Sequence, residues 1–189
     1  RDDKLAPASY LFVAGKFEEK TSNADGRNLR VLYSETDPVK VAQVDQVFQE
    51  VAKSMKWMEG YTGIGNPYEK ECVIYILPSL ELGGLERRGA IALSDKAIFL
   101  GKKPSKEDLL KRTELIAHET SHIWFGNIVD VEEPWAKELL ANFMASKISR
   151  SQYNKNEVEV NFINTYLRDA MSLDRTEGSH PLAAQYADP

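Results

Sequence analysis

His118-Glu119-Thr120-Ser121-His122-Ile123-Trp124-Phe125-Gly126-Asn127 decides how this chain is read. It has the form H-E-x-x-H and takes two of the three histidines in the sequence. On a helix, residues four apart lie on one face, so both imidazoles can reach one ion. Glu119 sits about 100° further round the axis, near enough to hold a water without taking a ligand position. Two histidines on a solvated face with a stray glutamate between them is the plain alternative, and the flanking sequence argues against it. Leu109, Thr113, Ile116, Ala117, Thr120 and Trp124 recur at helical spacing beside the motif. Ser105-Lys106-Glu107-Asp108 supplies a capping-box-like start, and Gly126 a stop. The helix therefore buries one flank and turns the motif toward a cleft.

Two histidines leave a catalytic zinc short of ligands, since such sites keep three protein ligands and one open position. The third should be a carboxylate or histidine from a neighbouring helix. Glu133-Pro134 opens that helix, with an acid at its positive end and proline in its first turn. Glu132, Glu133 and Glu138 are the candidates. The first two suit a solvated or dipole-stabilising role, whereas Glu138 lies a turn inside, where an unpaired carboxylate is costly and a metal compensates it. Glu138 is the preferred third ligand, with one Zn2+ per chain. Zinc lowers the pKa of bound water to about 7 and polarises a carbonyl, and Glu119 can move the water's proton to a leaving amine. The chemistry permitted is metal-assisted amide hydrolysis.

Upstream, Tyr10 to Phe17 is a β-rich apolar run, Thr21 to Arg27 reads as a polar turn, and Leu29 to Tyr33 as a strand. Asp37-Pro38 starts a helix whose stripe of Val41, Val44, Phe48, Val51, Met55 and Met58 packs a core and stops at Gly60. Val73 to Pro78 is continuously apolar, as expected of a strand covered on both faces. Leu82-Gly83-Gly84-Leu85-Glu86 follows, then β-like runs at Gly89–Leu93 and Ala97–Leu100. Paired glycines before an acid suit a close backbone approach, or equally a plain turn with a solvated Glu86. Downstream, Trp135, Leu139, Leu140, Phe143, Met144 and Ile148 are the apolar positions of the helix after Pro134. A last helix over 156–172 is expected to turn Ile163, Tyr166, Leu167, Ala170 and Met171 inward.

The 189 residues suffice for one packed domain, and a net charge of −5 gives no hint of nucleic acid or an anionic membrane as partner. No apolar run reaches membrane-spanning length. Cys72 is alone, so there is neither an internal disulfide nor a cysteine zinc site, and the compartment stays open. A start at Arg1 and an end at Ala187-Asp188-Pro189 lead one to expect a piece of a larger protein.

These residues resemble the aminopeptidase N and leukotriene hydrolase type of zinc metallopeptidase, a gluzincin family. His118 to Asn127 looks like its H-E-x-x-H-x-W-x-G-N, and Trp135-Ala-Lys-Glu138-Leu-Leu-Ala141 like its W-L-N-E-G-F-A, which supplies the third zinc ligand. Gly83-Gly84-Leu85-Glu86 resembles its G-x-M-E-N exopeptidase signature, with Arg87 in place of the asparagine. There the glutamate binds the substrate's free α-amino group and the backbone before it pairs with the peptide. Ser179-His180-Pro181 fits a recurrent element after the third helix. Fifteen residues separate His122 from Glu138, three fewer than usual, yet the eight steps from Gly126 to Pro134 reach up to about 26 Å, enough to close the loop.

The resemblance implies an α+β, thermolysin-like catalytic domain over 20–189, with a small mixed sheet packed on a mostly helical half carrying the motif. Residues 1–19 are then the end of a preceding β domain, and further N- and C-terminal domains belong to the parent protein. The implied activity is removal of N-terminal residues from peptides with a free N-terminus. A zinc endopeptidase and a degenerate binding domain are the rival readings. The family's catalytic tyrosine motif has no match at Tyr153, Tyr166 or Tyr186, so weak activity is expected of this piece alone.

Overall fold

The computed structural model describes residues 11–66, 72–78, 80–129, 131, 133–177 and 179. Its architecture is mixed α+β: a five-stranded sheet with helices packed on it. The first two strands, β1 (Glu18–Ala24) and β2 (Arg27–Tyr33), form an antiparallel hairpin joined at Asp25-Gly26. Both joint residues have positive φ, 53° and 78°, as a two-residue turn of matching twist requires. The expected polar turn over Thr21–Arg27 is therefore mostly strand, and the apolar run from Leu11 to Phe17 is not strand. Asp-Gly between β-capable runs is the decisive signal, and it outweighs the apolar character of the earlier segment. β1 begins two residues before the expected domain start.

Asp37 caps α1 (Pro38–Val41) by accepting from the Val39 N–H at 2.8 Å. The chain then re-enters a longer helix, α2 (Val44–Thr62), which passes through Gly60 and stops at Gly63, whose φ of 69° fits a left-handed cap. Val44, Phe48, Val51, Met55 and Met58 form the expected stripe and are buried. β3 (Cys72–Leu77), β4 (Gly84–Arg87) and β5 (Ala90–Ser94) complete the sheet in the order β1-β2-β3-β5-β4. β2, β3 and β5 run parallel, and β4 returns antiparallel to β5.

Two expectations change here, and one left open is decided. The glycine stretch turns at Gly83 and enters an edge strand at Gly84, which makes a close approach. Ala97–Leu100 is no strand, because Asp95–Ile98 forms one helical turn, α3. β3 alternates buried and half-buried residues, so its apolar run is fully covered on one face only.

That covered face packs Val31, Ile74, Ile76 and Leu93 against α2 and α4 (Lys106–Ser121) in one core. α4 opens with the capping box, Ser105 and Asp108 bonding reciprocally. Arg112, buried on α4, reaches Gln43, Gln46 and Glu50 and ties the helix to the start of α2. α5 (Pro134–Ser149) lies along α4 and buries Ala141, Met144, Ala145 and Ile148. Its Trp135, Leu139 and Phe143, apolar positions of the expected stripe, are exposed. Apolar residues spread round most of the helix, so periodicity could not say which face wins.

The last helix joins α6 (Lys155–Phe162), a π turn (Ile163–Leu167) and α7 (Arg168–Asp174). Val158 is its one buried residue among those described, and Ile163, Tyr166, Leu167, Ala170 and Met171 are exposed instead of inward. No helix of the described residues is long and apolar enough to cross a membrane. His180 and Pro181, and the apolar run's first residue Tyr10, lie outside the described residues.

Candidate metal centre

α4 carries His118 and Glu119 in its last turn, and His122 is its C-cap, still in helical conformation. The turn beyond it explains the Trp-Phe-Gly-Asn tail. Trp124 is buried and donates to the Ile64 carbonyl at 2.9 Å, pinning the chain to the end of α2. Asn127 donates to the His122 carbonyl at 2.8 Å, satisfying one of the helix-end acceptors. Gly126, with φ 117°, lets the chain reverse so that the Phe125 carbonyl faces His122 Nδ1 at 3.1 Å.

The two imidazoles converge. His118 Nε2 and His122 Nε2 are 3.1 Å apart, and Glu138 Oε2 on α5 is 3.1 Å from the first and 3.5 Å from the second. Asn142, one turn beyond Glu138, places its Oδ1 2.8 Å from His118 Nδ1. Each ring thus has a fixed acceptor opposite Nδ1, which holds a proton there and leaves the Nε2 lone pair facing the other ring. Two lone pairs and a carboxylate oxygen at such distances repel one another unless a cation lies among them. Tetrahedral ligation at about 2.05 Å would separate two nitrogens by about 3.3 Å, close to what is found. Burial, and next the neighbouring His122, hold His118 below the usual histidine range, favouring the neutral, ligating form.

These three donors are one of two groups among the described residues able to hold a metal; the other is Glu86, Glu119 and His122. The first fits better, because Glu86 is already engaged by a cation. Glu86 is buried in β4, with Oε1 2.7 Å from Lys137 Nζ and Oε2 4.0 Å from His122 Nε2. Burial pushes the Glu86 carboxyl up, but the Lys137 hydrogen bond and the nearby His122 ring outweigh it and leave the group below its usual range.

Glu119 is buried between the pair and the edge strand. Desolvation, then the negative Glu86 and Glu138, push its carboxyl up to about 8. Gly84 makes its placement possible, since a Cβ there would overlap the Glu119 side chain. Gly83, at φ 79°, turns the chain into β4 and accepts from the Ser94 N–H at 2.7 Å. Leu85 is half-buried on the opposite side of the strand. Arg87 folds back to donate to the Glu86 carbonyl at 2.7 Å.

Glu138 is exposed, so the burial cost expected to require a metal at this position is absent. Convergence with the histidines is what singles it out. Glu133 is the N-cap of α5 and makes no capping bond through its side chain, and Glu132 lies outside the described residues. Sequence reasoning missed Asn142, the Phe125 carbonyl and Lys137. The first could have been found, since Asn142 stands four residues after Glu138.

Fold and donors together describe a mixed α+β domain bearing a two-histidine, one-carboxylate centre under an edge strand. Residues 46–189 match the family described as the peptidase family M1 domain, and the chain belongs to that family. It is similar to a protein named probable aminopeptidase 2 from Sulfurisphaera tokodaii, 28% identical over 95% of this chain and 23% of that one. The puromycin-sensitive aminopeptidase of Caenorhabditis elegans is 27% identical over 96% of this chain and 20% of its own length. Human endoplasmic reticulum aminopeptidase 1 is 29% identical over 98% and 20% respectively. The chain spans about a seventh to a quarter of the length of the curated relatives it matches.

Proposed function

We propose that this chain is the thermolysin-like, zinc-binding core of a metallo-aminopeptidase, with His118, His122 and Glu138 as ligands. The observation that carries the reading is the meeting of the two Nε2 atoms and Glu138 Oε2 with both Nδ1 atoms tied back. A zinc ion held by these donors would lower the pKa of a bound water and polarise the scissile carbonyl.

The chain's own residues supply the rest. Glu119 is the base: a cation held by His118, His122 and Glu138 would favour its ionised form, which takes a proton from the attacking water and delivers it to the leaving amine. Its packing against Gly84 holds its carboxyl at one point. β4 is the sheet edge, so the outward backbone groups of the Gly83-Gly84-Leu85 stretch, those not already paired with β5 as the Gly83 carbonyl is, can pair with an extended peptide. Glu86, at the end of that strand, anchors the substrate's α-ammonium, which fixes the register at the first peptide bond.

Hydrolysis of matched peptides with free and N-acetylated termini by the zinc-loaded protein tests the reading. Preference for the free terminus is expected. Equal cleavage of both would favour an endopeptidase, the rival that the existing Lys137–Glu86 pair supports.

A further inference from the structure

The amine anchor already holds an ammonium group. Lys137 Nζ is 2.7 Å from Glu86 Oε1, and both side chains are largely shielded, at 26% and 10% exposure. This is a built contact. The stem of Lys137 lies over Gly126, where a Cβ would come within 2.7 Å of the lysine Cδ, so the reversal after His122 aims the amine at β4. A buried carboxylate without a cation is costly, and Lys137 meets that need in the free protein. A peptide bringing its own ammonium brings a second cation to the same carboxylate, whose other oxygen lies toward His122 Nε2 at 4.0 Å. Among the described residues Lys137 has one alternative acid within reach, Glu138 Oε1 at 3.8 Å.

We propose that Lys137 is the specificity-determining residue of this site: it occupies the amine anchor internally and must be displaced by a free N-terminus. This rests on Glu86 being the amine anchor. Only molecules with Lys137 swung away from Glu86 accept an α-ammonium, so apparent affinity falls in proportion to that fraction. A blocked terminus carries no competing charge and leaves the pair intact. The site therefore discriminates less in favour of free termini than an unoccupied carboxylate would, and Lys137 sets by how much.

Calorimetric titration of the zinc-loaded protein with leucinamide and with N-acetyl-leucinamide tests this. Lys137→Met is expected to bind leucinamide about tenfold or more tightly than the native chain, with N-acetyl-leucinamide unchanged. Unchanged or weaker leucinamide binding overturns the proposal. Adding Glu86→Gln to Lys137→Met separates the two claims. Loss of leucinamide affinity upholds Glu86 as the anchor even where Lys137→Met gave no gain, whereas no loss removes the anchor and this proposal with it. On the native chain, 15N-lysine resonances give a readout independent of any variant's folding. The Lys137 ammonium signal should respond to leucinamide and not to N-acetyl-leucinamide; no response, or the same response to both, contradicts displacement.

Discussion

α4 and α5 are both sixteen residues long, lie against each other and share the candidate site, yet they solve opposite problems. α4 buries charge. Arg112, Glu114 and Glu119 are all inside, the first held by Gln43, Gln46 and Glu50 and the second by Asn161 at 2.5 Å. α5 exposes apolar surface: Trp135, Leu139 and Phe143 are 38%, 55% and 46% accessible, while Ala141, Met144, Ala145 and Ile148 face the core. Glu138 and Asn142 come from the boundary between those two faces, and Lys137 from the first turn. Two residues of the candidate site, His118 and Glu119, thus belong to the helix that buries its polar groups, and Glu138 to the one that exposes apolar surface.

The sharpest way to break this comparison is at Glu119. Glu119→Gln should lower hydrolysis by about 10²–10⁴-fold while zinc content and melting temperature hold or rise, because a costly buried acid has been neutralised. A rate within a fewfold of the native protein would remove Glu119 as the base. Gly84→Ala asks whether the placement of that carboxylate matters. The added methyl must push Glu119 aside, and about a hundredfold loss of rate is expected from such a displacement.

Stability separates the two helices next. Ile116→Ala, at a fully buried position of α4, should cost about 2–5 kcal/mol by denaturant unfolding. Leu139→Gln on the open side of α5 should stay within about 0.5 kcal/mol. Equal costs would erase the contrast.

Glu114 gives a pH-dependent intermediate case. Burial is the main cause that pushes its carboxyl up to about 7 from 4.5, against the hydrogen bond from Asn161. A raised carboxyl pKa favours the folded state fully below about pH 4.5, and the advantage fades as pH climbs to about 7, where the folded form ionises too. Glu114→Gln should flatten that fall and leave the protein more stable at pH 8 by on the order of 1–2 kcal/mol, after allowance for solvent reaching the group. A native-like slope in the variant would assign the pH dependence elsewhere. Water has access through a cavity of about 260 Å³ that Glu114 lines together with His118, Glu119 and Tyr166.

Much of this was legible in the residues because several signals acted locally. The capping box at Ser105, the Asp37 cap and the buried stripe of α2 each follow from spacing alone. The motif's two histidines come together because helical geometry leaves them no other place. What was not legible depended on tertiary choice. α5 has apolar residues round most of its circumference, so only packing against α4 decides that Ile148 is inside and Leu139 outside. The last helix has an apolar stripe that finds little cover among the described residues. Asp25-Gly26 was readable, and the run before it drew the strand assignment too early. Glu138 was chosen for a burial it does not have, and Lys137 could not be placed on Glu86 without knowing that Gly126 turns the chain between them.

The central claim, that α4 supplies two ligands and α5 the third, is tested most directly by zinc titration of the native protein and Glu138→Ala, read by calorimetry and by metal analysis after dialysis. One zinc per native chain is expected, with affinity at least about a hundredfold weaker in the variant and an unchanged fold by circular dichroism. Undiminished zinc binding by Glu138→Ala would contradict the account.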